Sequence, residues 1–339
     1  MAASGEERFI AQYLAPLAAA HPGAYGLTDD CAELVPLPGH ALIFKTDPIV
    51  EGVHFLSDDA PEDLAWKALA VNVSDLAAKG ARPVAYLMAL TLPEQPEAAW
   101  MARFAAGLEA AQTAFGCVLI GGDTDRSAGP LSIAVTAIGE VRAGQMVPRA
   151  GARAGDAVFV SGTLGAAALG LQLRIEAGAT AGWRLSAADR AAAQARYLRP
   201  QPRIGLRAAL KGHARAAMDI SDGLLKDLDR MCRLAGVGAR IEFDALPLGD
   251  GVKAVLAVDR AAAVQLAAAG DDYEVLATVP PESAAAFEAG ARRGGVEVAR
   301  IGHIVADSGV RLVDAGGGEI DPGTTGYDHF DVNQAADLA

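Results

Sequence analysis

The sequence predicts a two-domain protein of α/β (α+β) class, with a mixed sheet and covering helices in each half. Three observations carry this. Short apolar runs ending in Asp or Gly alternate with amphipathic stretches that open on Pro or acids and close on Gly. The chain has 339 residues, roughly twice a common single domain. Near its middle, Gly144–Gly155 (GQMVPRAGARAG) has no apolar period, which divides the chain into 1–149 and 150–339.

In the first half, Phe9, Ile10, Tyr13, Leu14 and Leu17 recur on one side of a helix spanning Gly5–Ala20. A loop with Pro22, Gly23 and Gly26 leads to Thr28-Asp29-Asp30, and Ala41–Thr46 (ALIFKT) is a short strand running into Asp47. Pro61–Lys79 is a helix, opened by Pro and acids and closed at Gly80. Strand Pro83–Leu92, helix Pro96–Phe115, strand Cys117–Ile120 and strand Leu131–Val141 follow, with Gly121-Gly122-Asp123 read as a turn.

The second half restarts with strand Ala157–Val160, a Gly162/Gly165 turn and a helix through Ile175. Helix Ala187–Tyr197, strand Ala214–Met218, helix Gly223–Ala235 and strand Ala239–Phe243 come next. Helix Asp259–Ala268, strand Tyr273–Val279, helix Glu282–Arg293 and strands near Val298–Ile304 and Val310–Val313 complete it.

Charge excludes some functions. With 29 Lys+Arg against 42 Asp+Glu, the net charge of −13 argues against nucleic acid, whose phosphates need a basic face, and against docking on anionic membrane. No apolar run is long enough to span a bilayer, and the first residues carry Glu6 and Glu7 where a signal peptide would be basic. Cys31, Cys117 and Cys232 have neither disulfide-framework nor zinc spacing. A cytoplasmic enzyme is the expectation.

Asp outnumbers Glu 26 to 16. Arg-rich, Ala-rich coding bias accounts for much of that excess, so position must decide. Acids recur where strands or helices begin or end: Thr28-Asp29-Asp30, Thr46-Asp47, Gly122-Asp123-Thr124 and Asp219-Ile220-Ser221-Asp222, with Asn72-Val73-Ser74-Asp75 inside a helix. Each alone equally fits a helix cap or an Asx turn. Together they would repel if they converged without cations, and Mg2+, which takes oxygen ligands and often shares them with phosphates, relieves that repulsion. The chain has no GxxxxGK[ST] and no kinase HRD or DFG set, while Gly121-Gly122-Asp123-Thr124 could bring backbone N–H groups to a phosphate.

At these residues a resemblance enters. TDDCAEL (28–34), KTDPIVEGVHF (45–55), VNVSDLAAKGARP (71–83), IGGDT (120–124), MDISDGLLKDL (218–228) and GDDYEVL (270–276) resemble, in order, the motif series of the thiamine-monophosphate kinase family, within the aminoimidazole-ribonucleotide synthetase superfamily. The likeness extends to GYDHF at 326–330. It implies ATP- and Mg2+-dependent phosphorylation of thiamine monophosphate to the diphosphate, the last step in making that cofactor. It also implies a homodimer whose N-terminal sheets form a barrel across the dimer axis, and a C-terminal domain of the superfamily's α/β type. On this resemblance Asp30, Thr46, Asp47, Asp75, Asp123, Asp219 and Asp222 hold several Mg2+ ions. Gly122, Arg149 and Ser221 contact ATP, and His54, Asp271 and Tyr327 face the thiamine phosphate.

The residues supply a chemical reason beside the likeness. A phosphate monoester ionises a second time near pH 6, so the acceptor is already anionic and no general base is demanded. None stands out in the sequence. The departures are equally specific. Thr28 stands where the family has Gly, Cys31 where it has Ala, and Lys45 replaces a hydroxyl residue before Thr46-Asp47, so Lys45 is expected to alter the metal arrangement or supply part of a cation's charge. Asp271 replaces Glu and shortens the reach to substrate. Aminoimidazole-ribonucleotide synthetase itself is the alternative activity; the EGVHF and GYDHF segments favour the thiamine enzyme.

Overall fold

The computed structural model describes residues 5–176, 178–323 and 326. Unit 1 comprises 5–76 and 81–144, and unit 2 comprises 77–80 and the described residues from 145 onward. The sequence division at 149/150 would place Gln145–Arg149 in the first half. They fall with unit 2 because Val147 is buried among Leu206, Leu210 and Phe287, and the Ala217 N–H donates to the Pro148 carbonyl at 2.9 Å.

Unit 1 opens with α1 (Gly5–Phe9), a π-helical turn (Ile10–Leu14) and α2 (Ala15–Ala18), where the spacing had predicted one helix. Pro16 lacks the N–H that the Gln12 carbonyl would accept, and the turn before it widens. The remaining elements are β1 (His40–Val50), α3 (Pro61–Ala78), β2 (Arg82–Leu92), α4 (Ala98–Phe115), β3 (Val118–Arg126) and β4 (Ser132–Arg142). The strands form one sheet in the order β1-β4-β2-β3, with β2 and β3 parallel and the other neighbours antiparallel. Helix α4 buries Met101, Phe104, Leu108 and Ala111 at helical spacing and stops at Gly116, whose φ of 71° is the left-handed cap that glycine favours.

Two strands outrun their expected ends. β1 runs through Asp47 and Pro48 to Val50 because β4 offers a partner along its full length and β1 is a sheet edge, where proline is tolerated. The Gly121-Gly122-Asp123-Thr124 segment is not a turn. It continues β3, pairing with Leu87, Met88, Ala89 and Leu90 of β2 across a register shift. Gly122 is required there: its φ is 154°, and a β-carbon would lie 1.8 Å from the Met88 carbonyl oxygen.

Register sorts the side chains of this sheet. Thr46 pairs with Thr136, and the Thr136 hydroxyl donates to that of Thr46 at 3.0 Å. Alternation carries this face through Pro48, Ala134, Ala89 and Asp123, while Lys45 and Asp47 point to the other face. Farther along the first face, Ile138 and Ala85 are covered by Ala18 and Ala24 from the N-terminal segment.

Unit 2 contains β5 (Ala157–Ser161), α5 (Ala166–Ile175), α6 (Ala187–Leu198), α7 (Arg207–His213), β6 (Ala216–Asp219) and α8 (Leu224–Ala235). It continues with β7 (Gly238–Glu242), α9 (Asp250–Leu256), α10 (Arg260–Ala268), β8 (Val275–Val279), α11 (Ala284–Arg293), β9 (Val298–Val305) and β10 (Gly309–Val313). The sheet order is β10-β7-β9-β5-β8-β6. Every residue of β5 is buried: Val158 and Val160 face a core with Leu169, Leu228 and Val252, and Ala157 and Phe159 face a second with Leu210 and Phe287. A sheet covered on both sides explains why these strands read as unbroken apolar runs.

Candidate active site

In unit 1, β1 and α3 build an acidic centre around a lysine. Asn72, fully buried on α3, accepts from the Asp47 N–H at 2.8 Å and donates to the Asp47 carbonyl at 3.2 Å. It thereby satisfies the outward-facing peptide groups of an edge strand. With the backbone held, the Asp47 and Asp75 carboxylates meet the Lys45 ammonium at 2.8 and 2.9 Å. Burial alone would lower the Lys45 pKa, but Asp75 and Asp47 hold it above its ordinary value. The three side chains sum to one negative charge.

Downstream, the Val50–Phe55 turn fixes His54. The Val50 N–H donates to His54 Nδ1 at 3.1 Å, so the neutral ring carries its proton on Nε2. Lys67, buried on α3, donates to the His54 carbonyl at 2.8 Å. Asp123 is exposed on the opposite face of the sheet and at its other edge. Its Oδ1 accepts from the Thr124 N–H at 2.9 Å. Asp30 lies in the exposed 28–34 loop. The Thr46 side chain shares a face with Asp123 rather than with Asp47. Across two intervening strands, Asp47 and Asp123 are about 14 Å apart along the sheet.

Unit 2 brings two of the sequence motifs together through main-chain hydrogen bonds. The Ile220 N–H donates to the Glu274 carbonyl, the Tyr273 N–H to that of Ile220 and the Asp271 N–H to that of Ser221, at 2.8–2.9 Å. Asp219, Ser221 and Asp222 therefore lie beside Asp271. The approach leaves no room for a side chain at Gly270, whose β-carbon would fall 2.2 Å from the Ser221 carbonyl oxygen. Asp271 and Tyr273 both adopt positive φ, 67° and 51°, and the Tyr273 hydroxyl donates to Asp271 Oδ1 at 3.3 Å. Asp tolerates left-handed backbone better than Glu, so the shorter acid at 271 also suits the turn.

Buried Asp227 shapes the other loop. Its Oδ2 accepts from the N–H groups of Ser221, Asp222 and Gly223 at 3.0, 3.0 and 3.3 Å. Arg230 donates to Asp222 at 2.6 Å and to Asp227 at 3.1 Å. Arg149 is exposed in unit 2, beside the Pro148 carbonyl that anchors β6. Gly326 meets the same loop, since a β-carbon there would lie 2.5 Å from the Asp222 carbonyl oxygen. Tyr327, expected at the substrate, lies outside the described residues.

Comparison with known proteins decides the family. Residues 28–141 match the model for AIR synthase related protein, N-terminal domain, and 153–315 that for AIR synthase related protein, C-terminal domain. The thiamine-monophosphate kinase of Salmonella typhimurium is 40% identical over 97% of this chain and 99% of its own length. That of Caulobacter vibrioides is 39% identical over 94% and 89%. This chain belongs to the thiamine-monophosphate kinase family. A solved structure of AaThiL complexed with AMPPCP and TMP superposes with a TM-score of 0.75 at 34% identity, over 87% of this chain and 89% of that one.

The family implies Mg2+, and the donor chemistry here suits it. Among the described residues no three His, Cys, Asp or Glu side chains converge on one metal position. Asp47 and Asp75 do converge, and what they hold is a cation, the Lys45 ammonium. Carboxylate oxygens are the hard donors that Mg2+ takes, and it is commonly held by one or two of them with water and phosphate rather than in an all-protein cage.

The supporting residues of this thiamine-monophosphate kinase family member were not read from the sequence. Fully buried Glu274 is gripped by Arg196 at 2.9 Å, by Arg203 through Nε at 2.6 Å and through Nη2, and by the Ser161 hydroxyl at 2.6 Å. Asp272 accepts from the Gly165 and Ala167 N–H groups at the start of α5, at 2.7 and 3.4 Å. Their one signal in the sequence is membership of the GDDYEVL stretch at 270–276.

Burial pushes the Asp272 carboxyl up to about 7, although the Gly165 N–H and Arg196 favour its anion. A carboxyl raised above its ordinary 3.8 holds its proton more tightly folded than unfolded. Its stabilising contribution is complete below that value and is lost as pH rises through about 7. Relative to the parent, Asp272→Asn should therefore gain in denaturation midpoint between about pH 4 and pH 7. A constant difference across that window would show that Asp272 does not titrate there.

Proposed function

We propose that this chain transfers the γ-phosphoryl group of ATP to thiamine monophosphate, giving thiamine diphosphate and ADP. The observation that carries the reading is the joined pair of loops in unit 2. It sets the acids Asp219 and Asp222 beside Asp271 in a chain of this family.

In the proposed step an oxygen of the acceptor phosphate forms the new bond to the γ-phosphorus while the bond to the β–γ bridging oxygen breaks. The acceptor is an anion at neutral pH, so no side chain needs to remove a proton. Positioning and charge are what remain for the protein to supply. Asp30, Asp47, Asp75, Asp123, Asp219 and Asp222, with Thr46, would hold Mg2+, which neutralises the phosphate oxygens on which charge accumulates. Gly122, Arg149 and Ser221 serve ATP. His54, presenting Nε2–H, and Asp271 orient the thiamine phosphate, together with Tyr327.

A homodimer belongs to the same reading. The face of β1 bearing Thr46 and Pro48 also carries Phe44, which is 63% exposed, and an edge strand with an exposed aromatic is a surface that association would cover. Two such sheets closing into a barrel would join their edges, and β1 set against the second copy's β3 would bring the strands that carry Asp47 and Asp123 side by side, with the two acids on opposite faces. No helix among the described residues is long and apolar enough to cross a membrane, and we read the enzyme as cytoplasmic.

The test is direct. Purified protein with ATP, Mg2+ and thiamine monophosphate should yield thiamine diphosphate and ADP in equal amounts. No product from folded protein that binds ATP would overturn the reading.

A further inference from the structure

In the acidic centre of unit 1, two carboxylates read as divalent-ion ligands already share a cation of the chain's own. Lys45 and Asp47 lie two residues apart on one face of β1, and Asp75 comes from α3. The ammonium is 2.8 Å from Asp47 Oδ2 and 2.9 Å from Asp75 Oδ2. Both distances are those of charge-assisted hydrogen bonds.

The two acids are not equally placed. The Asp75 side chain is 16% exposed and that of Asp47 is 45% exposed. Desolvation makes an unmatched charge more costly at Asp75, so the internal cation matters most there. Asp47 keeps the more open carboxylate for an external ion. Charge arithmetic agrees. With Lys45 present, one divalent ion takes the three-residue group from one negative charge to one positive. A second would take it to three positive charges within a few ångströms.

We propose that the Lys45 ammonium occupies one cation position at the Asp47–Asp75 pair, so that this chain binds one divalent ion fewer than the same site without the lysine. The inference rests on the reading of these acids as divalent-ion ligands.

The experiment counts ions. Mn2+ serves as the probe, titrated into the full-length chain with a non-hydrolysable ATP analogue, and free Mn2+ is read by electron paramagnetic resonance. Lys45→Thr and Lys45→Met, with melting temperature checked for each, are expected to bind one Mn2+ more per chain than the parent. Lys45→Arg, which keeps the charge, is expected to match the parent. Equal counts in all four chains, or an equal rise in Lys45→Arg, would overturn the proposal. Failure of the kinase reading is seen separately, as no phosphorylation of thiamine monophosphate by the parent, and leaves the ion count to decide the role of Lys45.

Discussion

Asp47→Asn is expected to lower kcat by about 10²–10³-fold, the usual range when one transition-state charge contact is lost, while leaving the melting temperature nearly unchanged. Asn72 grips the peptide groups of Asp47 rather than its carboxylate, so the strand edge stays satisfied in the variant. The half-exposed ion pair with Lys45 is of the kind that contributes little to stability. Steady-state kinetics as a function of Mg2+, set beside a thermal melt, checks both halves. A large drop in melting temperature with kcat preserved would instead make Asp47 a structural residue.

Glu274→Ala should do the opposite, destabilising unit 2 by about 3–5 kcal/mol, as breaking a buried ion pair from one side generally does. Removing this carboxylate takes the anionic partner from the Arg196 and Arg203 guanidinium groups and the acceptor from the Ser161 hydroxyl at once. Glu274→Gln keeps the shape and part of the hydrogen bonding, so its loss should be smaller. Chemical denaturation followed by a probe within unit 2 gives the midpoints. A midpoint equal to that of the parent would contradict the assignment of this cluster as the anchor of the Asp271 turn. Because that turn faces the acceptor in our reading, the Gln variant should also raise KM for thiamine monophosphate more than it lowers kcat.

These two residues mark the limit of what the sequence discloses. Asp47 was legible because its motif is contiguous and its acid ends a recognisable apolar run. Glu274 was not, since its partners lie 71, 78 and 113 residues away and meet it only through the fold. The same holds for Asn72 behind Asp47, 25 residues distant, and for Lys67 under His54. Element types were readable because unit 2 buries its strands on both faces and its helices on one, which leaves plain periodicities. The Gly121-Gly122 pair misled because glycine suggests a turn, whereas here it lets β3 pass close to the β2 backbone. Convergence of the acids was least legible of all. Strand register divides the acids of unit 1 between two faces, and no count of Asp residues could reveal that.

The joined loops of unit 2 have an evolutionary side. Peptide groups, not side chains, tie residues 220–221 to 271–274. Any sequence that respects the close approach at Gly270 can inherit the frame, so the side chain at 271 can change without the scaffold being rebuilt. In our reading it is Asp271 that meets the acceptor, so laboratory variation there is the economical route to a descendant that accepts a different phosphorylated heterocycle.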